Sequence, residues 1–397
     1  MTKQPAMTSK ERLLNAINLQ PVDQTPLYFR FWSLGGAVDN IPFNWRDEVE
    51  RVEHTLALGL DDTITLQPPL GYVEEYRPEA LPGVTSTTER LPPAAGESDQ
   101  RLKKVYQTPA GPLQTVITLT EDWPYGDEIM LFDDHNIPRL KEPLIKTAED
   151  LPKLKYLLGQ PSAEQIAAFR QHAQEFRGHA ERLGVLLDGG WIALGDAAVW
   201  LCGMEGILYG QMDAPEFLAD LLDIIAAWEL ARVQLLLAEG VDMIVHMAWY
   251  ETTDFWTPAN YRRLLKPRLQ KEIDRVHSAG KKYRYIITKA WQPYIPDFLA
   301  MGIDCLTGVD PVQDTLDLAE VKQQVGGQIC LMGGLNSAVM LSQWDDDQIS
   351  AAVKQAINVM APGGGFIGYP VDAIFDAQSW RKVEHLIEQW HKRTNSL

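Results

Sequence analysis

The chain has 397 residues and a formal net charge of −18, with 36 Lys and Arg against 54 Asp and Glu. That balance argues against nucleic acid or an anionic membrane as a partner, since both need basic patches. Cys202, Cys305 and Cys330 make no CxxC pair, no leader-like segment follows Met1 and no apolar run reaches bilayer length, so a soluble protein of the reducing cytoplasm is expected.

Thr8-Ser9-Lys10-Glu11 reads as a capping box, and Leu13, Leu14 and Ile17 give the apolar stripe of an opening helix. Pro21 and Pro26 bracket a turn before a candidate first strand, Leu27 to Trp32. A helix over about 47–58 leads into a second, Asp62 to Gln67. Residues 72–155 then break the alternation and read as a long insertion that could cover the mouth of a site. Within it, Val105-Tyr106-Gln107 and Thr115 to Leu119 flank Pro109-Ala110-Gly111-Pro112, a hairpin signal.

From about Ala163 helices and short apolar segments alternate again. The segments are Val185 to Asp188, Asp242 to His246, Tyr283 to Lys289, Ile303 to Thr307, Gln328 to Met332 and Gly365 to Tyr369. Continuous apolar strands are buried on both faces, which implies a parallel sheet covered by helices. With the first two strands the count is eight, and a (β/α)8 barrel is the economical reading. An open doubly wound sheet is the rival, but no GxGxxG follows the first strand, and Gly363-Gly364-Gly365 precedes a strand rather than opening a helix.

Several segments resemble the uroporphyrinogen decarboxylase superfamily, which joins the decarboxylase to methyltransferases of cobamide-dependent methyl transfer. They are Glu11-Arg12-Leu13-Leu14-Asn15-Ala16 with Pro21 to Pro26, Gly302-Ile303-Asp304, Asp317 to Lys322, Gly333-Gly334-Leu335-Asn336 and Gly363 to Ile367. The resemblance runs along nearly the whole chain in order and implies the barrel. It is less specific for activity. The decarboxylase's paired arginines after its first strand are reduced here to Arg30 in Arg30-Phe31-Trp32-Ser33-Leu34-Gly35. Asp62 falls near the family's essential aspartate, whereas Cys202 stands where its tyrosine is expected. In the thiol-activating methyltransferases a His-x-Cys pair and a later Cys hold zinc; by register these fall on Ile286, Thr288 and the vicinity of Asp372. No zinc thiolate site is therefore expected.

Polar residues at the carboxyl ends of barrel strands are the natural site candidates. His246, Asp188, Tyr285, Asp372 and Glu251 are the candidate catalytic groups. His246 suits proton transfer near neutrality, with a core histidine bonded to backbone as the plain alternative. Asp188 and Asp372 can act as acids if an apolar pocket raises them, although Asp372 equally suits a helix cap. Arg30, Lys289 and Asn336 are placed to hold a substrate's anionic or polar groups, Asp62 joins them through the resemblance, and Trp32, Trp191, Trp249 and Tyr369 can wall a flat apolar molecule. His246, Tyr285 and Asp372 are expected to face one hollow.

The expected function is a corrinoid-dependent methyltransferase, an O-demethylase if the donor is a methoxylated aromatic. Its corrinoid (cobalamin) would be carried by a partner protein. The superfamily implies a homodimer. A lyase decarboxylating a small aromatic or pyrrolic acid through Arg30 and Asp62 is the first alternative, and a non-catalytic tetrapyrrole-binding barrel the second.

Overall fold

The computed structural model describes residues 6–32, 45–71, 75–375 and 379–394, without the side chains of Trp32 and Phe375. The strands in chain order are β1 Phe31–Trp32, β2 Thr63–Leu66, β3 Thr85–Leu91, β4 Arg101–Thr108, β5 Gly111–Thr118, β6 Leu140–Glu142, β7 Leu186–Ala193, β8 Met243–Met247, β9 Lys282–Ile286, β10 Cys305–Val309, β11 Cys330–Asn336, β12 Phe366–Val371 and β13 Ile374–Phe375.

Seven of these form one sheet in the order β12-β11-β10-β9-β8-β7-β2, every pair parallel. The ends of that sheet are joined through residues 27 and 28. Leu27 bridges Gly368 on β12, and Tyr28 bridges Asp61 just before β2, both in parallel. Three backbone hydrogen bonds complete the seam: Tyr28 N to Gly368 O at 2.9 Å, Gly368 N to Pro26 O at 2.9 Å and Asp61 N to Leu27 O at 2.8 Å. The architecture is thus a (β/α)8 barrel whose first strand is only a two-residue bridge. The remainder of the predicted first strand, Phe31–Trp32, pairs with β13 beyond the barrel.

The N-terminal ends of the strands are plugged by the helix Ser9–Ile17. Thr8 and Glu11 form the reciprocal capping box that starts it, which satisfies orphan amides that would otherwise be unpaired. Its Leu13, Ala16 and Ile17 pack with Leu186, Met243, Cys305 and Cys330 in the barrel interior. Outside, the closing helix Trp380–Thr394 lays Trp390 against the seam. A Cβ on Gly368 would lie 2.2 Å from that indole, so only glycine lets the ring seat there.

Between β2 and β7 the chain builds a separate antiparallel sheet, β3-β4-β5-β6, with the β4–β5 hairpin in the register the turn residues imply. This segment packs on the barrel's flank. Tyr76 meets Trp228 edge to face at 5.0 Å, and Asp134 accepts from Trp200 Nε1 at 2.6 Å. Among the described residues no helix is long and apolar enough to cross a membrane.

Candidate functional site

Alternation along β8 and β9 sorts their side chains onto two sides. Met243 and Val245, like Ile286, belong to the cluster inside the barrel, whereas Ile244, Tyr283 and Tyr285 belong to the cluster beneath the helices. Arg284, between the two tyrosines, therefore faces the lumen.

At the lumen mouth, β7 carries an extra residue. Its register with β8 shifts between Gly190 and Ile192, and Trp191, at φ 21°, is the residue displaced from the ladder. A bulge re-aims a side chain. Here it brings the Trp191 ring centroid to 4.0 Å from the Arg30 guanidinium carbon, with the Trp249 ring at 5.9 Å. Arg30 Nη1 lies 3.8 Å from Asp372 Oδ1. Burial pushes the Asp372 carboxyl up, and Arg30 and then Arg284 pull it back. Its side chain is nevertheless 38 % exposed, so water weakens that push.

Deeper in the lumen, Arg284 donates from Nε to Thr307 Oγ1 at 2.9 Å and stands over the Tyr28 ring at 5.3 Å. Tyr28 and Tyr369 are neighbours, their centroids 5.9 Å apart. Asp188, on β7 beside Thr65 of β2, is fully buried, and burial raises its carboxyl to about 6 against the pull of Thr65, Thr63 and Arg284. Among the described residues its Oδ1 has no hydrogen-bond partner, and neither has Trp249 Nε1. The site thus offers two cations, two raised carboxyls, two phenols and two indoles around one axis.

The helix side is a different kind of place. His246 sits 3.0 Å from Glu272 Oε1 through Nδ1 and 3.2 Å from Glu251 Oε1 through Nε2. Glu251 also accepts from Gly195 N at 2.7 Å and from the Tyr285 hydroxyl, and Glu272 accepts from Tyr283 at 2.6 Å. A Cβ on Gly195 would lie 2.6 Å from Glu251 Cγ, so the glycine admits the carboxylate. Burial disfavours the imidazolium, but Glu251 and Glu272 outweigh it and hold His246 well above its usual range. A carboxylate at each nitrogen favours the imidazolium, the form in which both nitrogens donate.

Of the sequence candidates, the structure brings Arg30, Asp188, Asp372, Trp191, Trp249 and Tyr369 to the lumen. The common hollow expected for His246, Tyr285 and Asp372 does not form: His246 and Tyr285, with Glu251, lie on the opposite side of the sheet, enclosed by helices. Asp62 lies close enough for its charge to act on Tyr28, but its carboxylate is engaged elsewhere. It is buried against Arg51 of the helix Glu48–Ala57, 2.5 Å away, at the N-terminal start of β2. Lys289 is an exposed rim group paired with Asp254 at 2.8 Å. Asn336 spends its amide on Asp310 and its carbonyl on the amides of Val339 and Met340, which is a capping role. The side chain of Trp32 lies outside the described residues. Arg284, Tyr28 and Thr307 are site residues that sequence reasoning misses. A lone arginine inside a short buried strand is the available signal.

No group of three or more His, Cys, Asp and Glu side chains forms a metal cradle among the described residues. A cleft of about 620 Å³ lies away from the lumen, lined by Leu140, Ile145, Cys202, Met204, Tyr209 and Phe217 among others.

The chain and its fold have counterparts among known proteins. The chain is 24% identical over 196 residues to the uroporphyrinogen decarboxylase of Thioalkalivibrio sulfidiphilus, covering 48% of this chain and 52% of that protein. It is 28% identical over 160 residues to that of Xanthomonas axonopodis pv. citri, covering 38% and 42%. The chain thus spans about half the length of these curated relatives. A methyltransferase from Methanosarcina mazei superposes with a TM-score of 0.59 over 97% of this chain and 99% of its own, at 18% identity. The family model for uroporphyrinogen decarboxylase matches residues 118–393, and the chain belongs to that family.

Proposed function

We propose that this chain is a corrinoid-dependent methyltransferase that demethylates a small methylated compound, with methoxylated aromatics as the favoured donors. The observation that carries the reading is Asp188. It is a fully buried lumen carboxyl raised to about 6 with an unpartnered Oδ1, among aromatic walls made by Trp191, Trp249, Tyr28 and Tyr369. An acid tuned toward neutrality suits protonation of a departing oxygen. The proton transfer expected of His246 passes to this carboxyl, because His246 lies on the helix side of the sheet, between Glu251 and Glu272. Trp191 and Trp249 hold the flat part of the donor, and Arg30 with Asp372 orients it.

A corrinoid on a partner protein would supply the nucleophile for the methyl carbon. The mouth suits a group brought from outside, since Trp191, Trp249 and Asp372 are only partly buried. The structural likeness to a methyltransferase over nearly the whole chain supports the same reading. Decarboxylation of uroporphyrinogen fits less well. Eight carboxylates need several cations, while the lumen presents Arg30 and Arg284, Arg30 already faces Asp372, and residues 33–44 contain no Lys or Arg. A homodimer in the cytoplasm is part of the same proposal.

The family match favours a second reading, a lyase acting on a smaller aromatic or pyrrolic acid. It would have to use Asp188 or Asp372, since Asp62 is committed to Arg51. One experiment separates the two. The enzyme is incubated with a panel of methoxylated donors and a reduced corrinoid protein, and both demethylated product and released carbon dioxide are measured. Demethylation is expected, reduced about 100-fold in Asp188→Asn. Carbon dioxide release without demethylation would establish the lyase instead.

A further inference from the structure

We infer that Arg284 is the anion-binding residue of the lumen, and that the ligand of this barrel carries a carboxylate directed onto it. Arg284 is 4 % exposed. Its Nε is fixed by Thr307 and one face is covered by Tyr28, so the guanidinium plane is set. Among the described residues its two Nη atoms make no hydrogen bond and no carboxylate comes within 4.0 Å of it. Burial disfavours a cation without a counter-ion, and an arginine held this way presents a planar pair of donors that matches a carboxylate in two parallel hydrogen bonds.

The surrounding charges point the same way. Asp372 stands against Arg30 and not against Arg284. Asp188 feels Arg284 but lies beyond ion-pair range, and burial favours its neutral form. Asp188 Oδ1 and Trp249 Nε1, without partners among the described residues, add further polar groups inside the barrel. Tyr28 stands beside the Arg284 guanidinium and Tyr369 beside Tyr28, a setting that suits an aromatic acid with its carboxylate inward, its ring against the phenols and its para substituent toward Trp191 and Trp249. That orientation rests on the methyl-transfer reading, whereas the anion site does not.

The test uses the full chain with benzoate and its neutral isostere benzamide, followed by calorimetry and by the fluorescence of Trp191 and Trp249. Benzoate is expected to bind at least about tenfold more tightly than benzamide. Arg284→Gln is expected to remove that preference, weakening benzoate by about 100-fold and benzamide by less than about threefold, with Arg284→Lys in between. If Arg284→Gln does not fold, Arg284→Lys decides, its benzoate preference being expected to fall below that of the unaltered chain. Equal binding of the two probes, no binding of benzoate, or a preference that survives Arg284→Gln overturns the assignment. Preferential benzoate binding without demethylation of any donor upholds the anion site and sinks the methyl-transfer reading. Demethylation with no preference for acidic donors does the reverse.

Discussion

Two groups of buried polar side chains flank β8 and β9, and they differ in how their hydrogen bonds are spent. On the helix side, His246, Glu251, Glu272, Tyr283 and Tyr285 satisfy one another: each imidazole nitrogen has a carboxylate and each carboxylate a hydroxyl. On the lumen side, Asp188 Oδ1 and Trp249 Nε1 have no protein partner among the described residues, and Arg284 is held by one hydrogen bond, from Nε to Thr307. A closed network of this kind rigidifies a fold, while unsatisfied groups in a concave aromatic setting are what a ligand can complete. Types of residue do not distinguish the two sides, since both contain carboxyls, cations and tyrosines. The difference lies in the accounting of donors and acceptors.

The strongest way to break this comparison is to treat His246 as catalytic. His246→Ala should leave Glu251 and Glu272 as buried carboxylates without their cation, and destabilise the protein by about 3–5 kcal/mol, measured by denaturant unfolding. A variant that keeps full stability yet loses turnover would move the chemistry to the helix side.

A second substitution sharpens the contrast through pH. Asp188 is raised from 3.8 to about 6, so the folded state holds its proton more tightly than the unfolded chain. Its contribution to stability is complete below about 4 and is lost as pH rises through about 6, a change of about 3 kcal/mol. Asp188→Asn should therefore be more stable than the unaltered chain at pH 8, by up to that amount, and no more stable at pH 4. Unfolding curves at the two pH values check it. Equal or lower stability of the variant at pH 8 would argue that Asp188 is an ordinary structural carboxylate.

The smallest effect is expected at the rim. Lys289→Met removes an exposed pair with Asp254, for which about 0.5 kcal/mol or less is typical, and turnover should stay within about twofold of the unaltered enzyme. A large loss of activity would bring the rim into the site.

Much of the fold can be read from the chain because its cues are local. The box at Thr8 and Glu11, the turn at Pro109 to Pro112 and the polar ends of apolar runs each act over a few residues. The first strand reads too long because Phe31–Trp32 is as apolar as Leu27–Tyr28, and only the seam between β12 and β2 separates them. The site is harder for one physical reason. β8 is buried along its whole length and β9 from Tyr283 to Ile286, so the sequence shows no alternation to tell lumen from helix side. Tyr285 and Arg284 are adjacent, and choosing one face means losing the other. His246, a strand-end histidine, reads as inward for the same lack of contrast. Arg30, Trp191 and Trp249 fare better, since bulge and mouth lie where strand-end logic applies, whereas Asp188, read as a strand end, lies near the start of β7 and reaches the lumen by alternation.

The most direct test of the lumen as the working site is a crystal structure of the protein with 4-methoxybenzoate. Ligand density is expected along the barrel axis, its carboxylate against the Arg284 Nη atoms and its methoxy group between Trp191 and Trp249. Density instead in the cleft beside Cys202, Met204 and Phe217, with the lumen filled only by water, would contradict a working site inside the barrel.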